Sequence, residues 1–96
     1  MKLRWVRPAL EDLRKIDNYI SADNPDAAKR ALARIRAYSR LLVDQPHLGR
    51  PGRVPGTREL IVSKTPFILP YRVVSDEVQI LRVIHGSRRW PKTFTP

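Results

Sequence analysis

Apolar side chains along this chain first alternate, then recur every three or four positions, then alternate again. Leu3 and Trp5 flank Arg4, which predicts a short strand over residues 2–6. Ala9, Leu13, Ile16 and Ile20 follow at helical spacing and predict a helix over 8–21. Pro8 fits a first helical position, and Glu11 and Asp12 suit the positive end of the helix dipole. Asp23-Asn24-Pro25 then stops one helix and starts another, with Asn24 as N-cap and Pro25 in the first turn. The second helix is predicted over 25–43, with Ala28, Ala31, Leu32, Ile35, Tyr38 and Leu42 as its buried stripe. Two helices joined so tightly make a helical hairpin.

Beyond Leu48 the helical period disappears. Three prolines and three glycines make 46–56 a stiff, turn-rich loop that carries Arg50 and Arg53. Strands are predicted over 57–63, 67–74 and 77–85, the last two paired as an antiparallel hairpin about Ser75-Asp76-Glu77. Pro70 lies inside the second of these and demands an edge position, a bulge or a kink. The first strand must join the same sheet, because a lone five-residue strand is not stable. The polar, proline-broken stretch 87–96 is expected to be a partly ordered tail. The order β-α-α-β-β-β predicts one α+β domain over 1–96. Its helical hairpin packs on one face of a small, mainly antiparallel sheet.

Composition narrows the chemistry. Ninety-six residues support one core and not two. With no cysteine, disulfides and thiolate metal sites are excluded, and His47 and His85 have no carboxylates at metal-ligating spacing. The charged N-terminus is unlike a signal peptide, and no apolar run approaches the ~20 residues that span a bilayer. A soluble, cytoplasmic protein without a membrane partner is expected. No Gly-rich phosphate loop, nucleophile elbow or paired-carboxylate site suggests a cofactor or a small-molecule substrate.

The net charge of +10 is unevenly placed. Residues 1–26 balance five cations (Lys2, Arg4, Arg7, Arg14, Lys15) against five acids (Glu11, Asp12, Asp17, Asp23, Asp26). The rest of the chain therefore holds the whole excess, which steers polyanions: nucleic acid, an acidic protein segment or an anionic surface. A solvated basic surface is the plain alternative. On the second helix, Lys29, Arg36 and Arg40 share one face, and no acid falls between Asp26 and Asp44.

In sequence order, the later motifs are Leu48-Gly49-Arg50, Pro55-Gly56-Thr57-Arg58-Glu59-Leu60, Tyr71-Arg72-Val73 and His85-Gly86-Ser87-Arg88-Arg89-Trp90-Pro91. With Trp5, Ala9, Asp12, Leu13 and Ile16 ahead of them, and Asn24-Pro25 with Ala27-Ala28, the chain resembles the RelE/ParE toxin family of bacterial type II toxin-antitoxin pairs. The ParE-like branch fits best. The resemblance covers nearly the whole chain and rests on motif order and spacing. It implies a growth-inhibiting toxin of a plasmid-stabilisation system, held silent by a cognate antitoxin with an acidic segment. RelE-like members cut messenger RNA on the ribosome, and ParE-like members poison DNA gyrase.

RNA cleavage without a metal needs a base, cations for the crowded phosphate and an acid for the leaving oxygen. The family's nucleases resemble one another in an arginine three residues before a tyrosine such as Tyr71; here that residue is Ile68. If the chain were an RNase, Arg58, Arg72, Arg82 and His85 would be the candidates. Arg50, Arg53, His85, Arg88, Arg89 and Trp90 are the candidate target contacts, since cations beside an indole suit nucleic acid or an interface. His85 equally suits a strand-ending residue bonded to backbone, and Trp5 and Tyr19 read as core. Lys29, Arg36 and Arg40 are the candidate landing face for the antitoxin. Three readings follow: a non-enzymatic gyrase inhibitor, for which position 68 speaks, a ribosome-dependent endoribonuclease, or a non-toxic nucleic-acid-binding module.

Overall fold

A computed structural model describes residues 1–94. The elements run β1 (Lys2–Trp5), α1 (Arg7–Ser21), α2 (Pro25–Asp44), β2 (Arg50–Pro51), β3 (Arg58–Ile61), β4 (Phe67–Val74), β5 (Glu77–Ile80) and β6 (Ile84–His85). The sheet order is β1-β5-β4-β3-β2, with β6 paired to β4 as well. β1 lies parallel to β5 at one edge, and every other pairing is antiparallel. The predicted α+β architecture stands, with the helical hairpin on one face.

That hairpin is built as its sequence dictates. Asn24 caps α2 by accepting the Ala27 N–H at 3.0 Å, and Asp26 sits in the first turn. Ala28, Ile35 and Leu42 are buried, and the buried Ser39 hydroxyl is satisfied by the Arg36 carbonyl at 2.7 Å. α1 starts one residue earlier than predicted, at Arg7, so Glu11 and Asp12 fall beyond its first turn and do not serve the dipole. Val6, Ala9 and Leu13 meet Ile35 and Leu42 over Leu69, Tyr71, Val78 and Ile80 of the sheet. Tyr19 is a correction: at 82% exposure it stands outside the core, whereas Trp5 is partly buried against it.

Two strand assignments also need correcting. Arg50–Pro51 pairs with Arg58 and Glu59 and so forms a strand inside the predicted loop. The predicted strand over 77–85 is split in two. Tyr71 pairs with Ile80 and Ile68 with Ile84, so Leu69-Pro70 faces the three residues Leu81-Arg82-Val83. One extra residue on one strand is a β-bulge. Pro70 is the cause: its carbonyl accepts the Leu81 N–H at 2.9 Å, but it has no N–H to return to that strand.

The bulge frees the Val83 N–H, and Asp12 of α1 takes it at 2.9 Å. The same carboxylate accepts Arg82 Nε at 2.6 Å and Arg82 Nη2 at 3.1 Å. Those hydrogen bonds hold the Arg82 proton more tightly than usual, with burial opposing them. A second polar anchor is Tyr71, whose hydroxyl accepts the Gly49 N–H at 2.9 Å and donates to the Pro46 carbonyl at 2.8 Å. A Cβ on Gly49 would lie 2.6 Å from the Tyr71 ring, so only glycine permits this approach.

Asp12→Ala leaves the Val83 N–H and Arg82 unmatched and should cost about 2–3 kcal/mol in urea unfolding. Burial raises the Tyr71 pKa above its ordinary 10.0, with the Gly49 bond and the Arg58 charge opposing. The folded state therefore keeps a proton that the unfolded chain gives up. The stabilisation is complete below about pH 10 and is lost as pH rises through the folded-state pKa. Stability measured from pH 8 to 11.5 should fall more steeply for the wild type than for Tyr71→Phe. Below pH 9 that variant should be less stable by about 1–3 kcal/mol, because two buried backbone groups lose their partner.

Candidate functional site

Because the sheet ends raggedly at β6 and at the β3–β4 turn, the helical hairpin overhangs it. A groove of 1380 Å³ lies beneath. Ile16, Ile20, Ala27, Ala31, Phe67 and Val83 supply its apolar surface. Lys15, Arg30, Arg34, Lys64, Arg88 and Arg89 supply its cations. Asp12 is the acid in the lining among the described residues, and Arg82 already occupies it. Arg34 is partly committed as well, donating to the Ser63 carbonyl at 2.7 Å and so tying α2 to the β3–β4 turn. The exposed Tyr19 belongs to this groove.

A second constellation centres on Glu59 of β3 and reaches the groove through Trp90, which lines it. Glu59 pairs across the ladder with Arg50 and with Pro70, and its side chain is only 1% exposed. A buried carboxylate is tolerated only with partners. Here it accepts Arg50 Nη2 at 3.1 Å and the Arg53 N–H at 2.7 Å, and Arg53 Nε lies 3.6 Å away. The Arg53 guanidinium in turn sits 4.1 Å over the Trp90 ring, within cation–π range. Phe94 meets Trp90 edge-on at 6.5 Å and packs against the core. Residues 87–94 thus fold back onto the domain where a partly ordered tail is expected; residues 95–96 of that tail lie outside the described residues. Trp90 Nε1 is the buried side-chain polar atom without a partner among the described residues.

The remaining candidates divide between the groove and other surfaces. His85 packs edge-on to Phe67, and its Nδ1 accepts the Ser87 N–H at 3.1 Å. Arg88 and Arg89 are exposed beside it. Arg58 donates to the Gly49 carbonyl at 2.8 Å and Arg72 to Gln79 at 2.7 Å, so each has its own partner. Of the four nuclease candidates, Arg82 and His85 line the groove, and Arg58 and Arg72 do not. Ile68, 7% exposed, pairs with Ile84. Lys29, Arg36 and Arg40 are exposed on α2 but lie outside the groove lining, which draws on Arg30 and Arg34 instead. Sequence reasoning placed the latter pair to one side of that face, and their neighbours Ala27 and Ala31 were the signal for the groove wall. No group of three or more His, Cys, Asp or Glu among the described residues is placed to hold a metal ion. No described helix is long and apolar enough to cross a membrane.

The family model described as "ParE toxin of type II toxin-antitoxin system, parDE" matches residues 3–90, and the chain belongs to that family. It is 45% identical to the protein Y4kP of Sinorhizobium fredii, covering 97% of this chain and 96% of that one. Toxin RelE2 of Caulobacter vibrioides is 34% identical, over 88% of this chain and 93% of its own. A chain in the solved structure titled "Chromosomal ParDE TA system from P. aeruginosa" superposes with a TM-score of 0.79 at 39% identity. The match covers 88% of this chain and 95% of that one.

Glu59→Gln tests the second constellation. Arg50 and Arg53 are about half exposed and recover water, so the loss should be about 1–3 kcal/mol and not that of a stranded buried charge. In a Trp5→Phe background the Trp90 emission should shift to the red as the Arg53 stack loosens. An unchanged spectrum would mean that Glu59 does not hold Arg53 over the ring.

Proposed function

We propose that this chain inhibits growth by gripping a protein target, DNA gyrase, and that a cognate antitoxin silences it by laying an acidic amphipathic segment in the groove. The observation that carries the antitoxin half is the groove itself, apolar along its floor and cationic along its rim. A helix or strand with apolar residues on one side and carboxylates on the other suits such a surface. Support for gyrase over RNA cutting comes from position 68. A nuclease needs cations converging on one phosphate. Here Ile68 is buried, and Arg58, Arg72 and Arg82 point to three different partners. Arg88, Arg89 and Trp90, with Arg50 and Arg53 behind them, offer a protein target exposed cations around an aromatic anchor. Both partners place the action in the cytoplasm.

Inducing the chain alone should stop growth and relax or cleave reporter plasmids, with transcripts intact; co-expression of the neighbouring open reading frame should restore growth. Codon-positioned cuts with normal supercoiling would replace this reading by the endoribonuclease. Normal growth would leave only a nucleic-acid-binding module. Lys15→Glu with Arg30→Glu reverses two exposed groove charges that make no ion pair among the described residues. It should weaken antitoxin binding about tenfold or more in calorimetry. Lys29→Glu with Arg36→Glu should change it less than about threefold.

A further inference from the structure

The outer side of α2 carries cations that neither the core nor the groove uses. At 3.6 residues per turn, Lys29, Ala33, Arg36 and Arg40 fall within about 60° of one another. Arg30 and Arg34 lie on the flank toward the groove. Lys29, Arg36 and Arg40 are all exposed, and none of their side chains takes part in an ion pair or a hydrogen bond among the described residues. Arg14 of α1 adds a fourth exposed cation across the shallow cleft that Arg36 lines. Asp17 is the acid facing that cleft, and it is outside ion-pair distance of Arg36.

We propose that this row is a docking surface for the phosphate backbone of duplex DNA, bound without regard to sequence. Charge complementarity selects a polyanion, and the side chains between the cations select which one. A protein partner needs apolar anchors to bury; between the cations of the row stands Ala33, and the larger apolar side chains Leu10 and Leu32 lie off the row, in the cleft beyond Arg36. Single-stranded nucleic acid needs aromatic faces for its bases, and the row has none. What remains is phosphate contact, which requires only long cationic side chains at fixed intervals. Lys29 to Arg40 spans about 16 Å of helix, a length over which one strand of B-DNA presents about five phosphates. The row is separate from the groove, so a chain with its groove filled still presents it.

The test compares two charge-matched variants of the full chain by fluorescence anisotropy on a 20-base-pair duplex, across a salt series. Wild type should bind with a Kd of about 1–100 µM near 0.15 M salt. Lys29→Gln/Arg36→Gln/Arg40→Gln should lose about tenfold or more, and its slope of log K against log salt should flatten by about three. Lys15→Gln/Arg30→Gln/Arg89→Gln removes the same charge from the groove side and should lose less than about threefold. Circular dichroism melts confirm that both variants fold, as expected for exposed positions. Equal losses in the two variants would reduce the effect to net charge and overturn the proposal. So would no measurable binding at 50 mM salt, or single-stranded DNA of the same length binding as tightly. Weakened binding of an oligoglutamate peptide by the row variant, with duplex binding unchanged, would reassign the row to a protein.

Discussion

Pro70 has no N–H to give, and it sits in the strand that pairs with β3, β5 and β6 alike. A central strand with a missing donor cannot carry an unbroken ladder. The partner strand answers by inserting a residue, and the register shifts by one between Ile80 and Ile84. The loosened Val83 N–H then needs an acceptor, which Asp12 supplies from the first helix along with a grip on Arg82. The overhang of the hairpin, the end of the sheet and the groove between them all follow from that chain of compensations.

Toward β3 the same residue has a different effect. Pro70 stands opposite Glu59, and the buried carboxylate gathers Arg50 and Arg53 into an ordered loop. Arg53 then supplies the surface on which Trp90 rests. The basic loop and the C-terminal stretch, far apart in sequence, are thereby joined through one acid. Cations here fall into three groups with different physics. Some are spent on structure, as Arg50, Arg82 and Arg58 are; some rim an apolar groove; some stand on open helix with small neighbours. Net charge alone would not separate them.

Much of this was legible in the sequence, because both helices and β4 carry strong local signals. Asn24-Pro25 marked the turn between helices, and Pro70 announced a defect in its strand. What the sequence left open was non-local. β2 is two residues long and contains a proline, so it has no alternation to read; only Glu59 reveals it. The split after Ile80 lies in an apolar run interrupted only by Arg82, Ile80-Leu-Arg-Val-Ile, whose bulge is fixed by a proline on another strand. Tyr19 reads as core in the sequence, yet it stands exposed at the groove. The stretch after Gly86 looked loose by composition, yet Trp90 and Phe94 find partners that no local rule could name.

The Asp12 clamp joins residues 70 and 71 positions apart. A ribosome adding about 5–20 residues per second delivers Arg82 roughly 4–14 s after Asp12. During that interval the floor beneath the helical hairpin is still incomplete. The groove exists only once the final strand has docked, so whatever reads it meets finished molecules and not nascent ones.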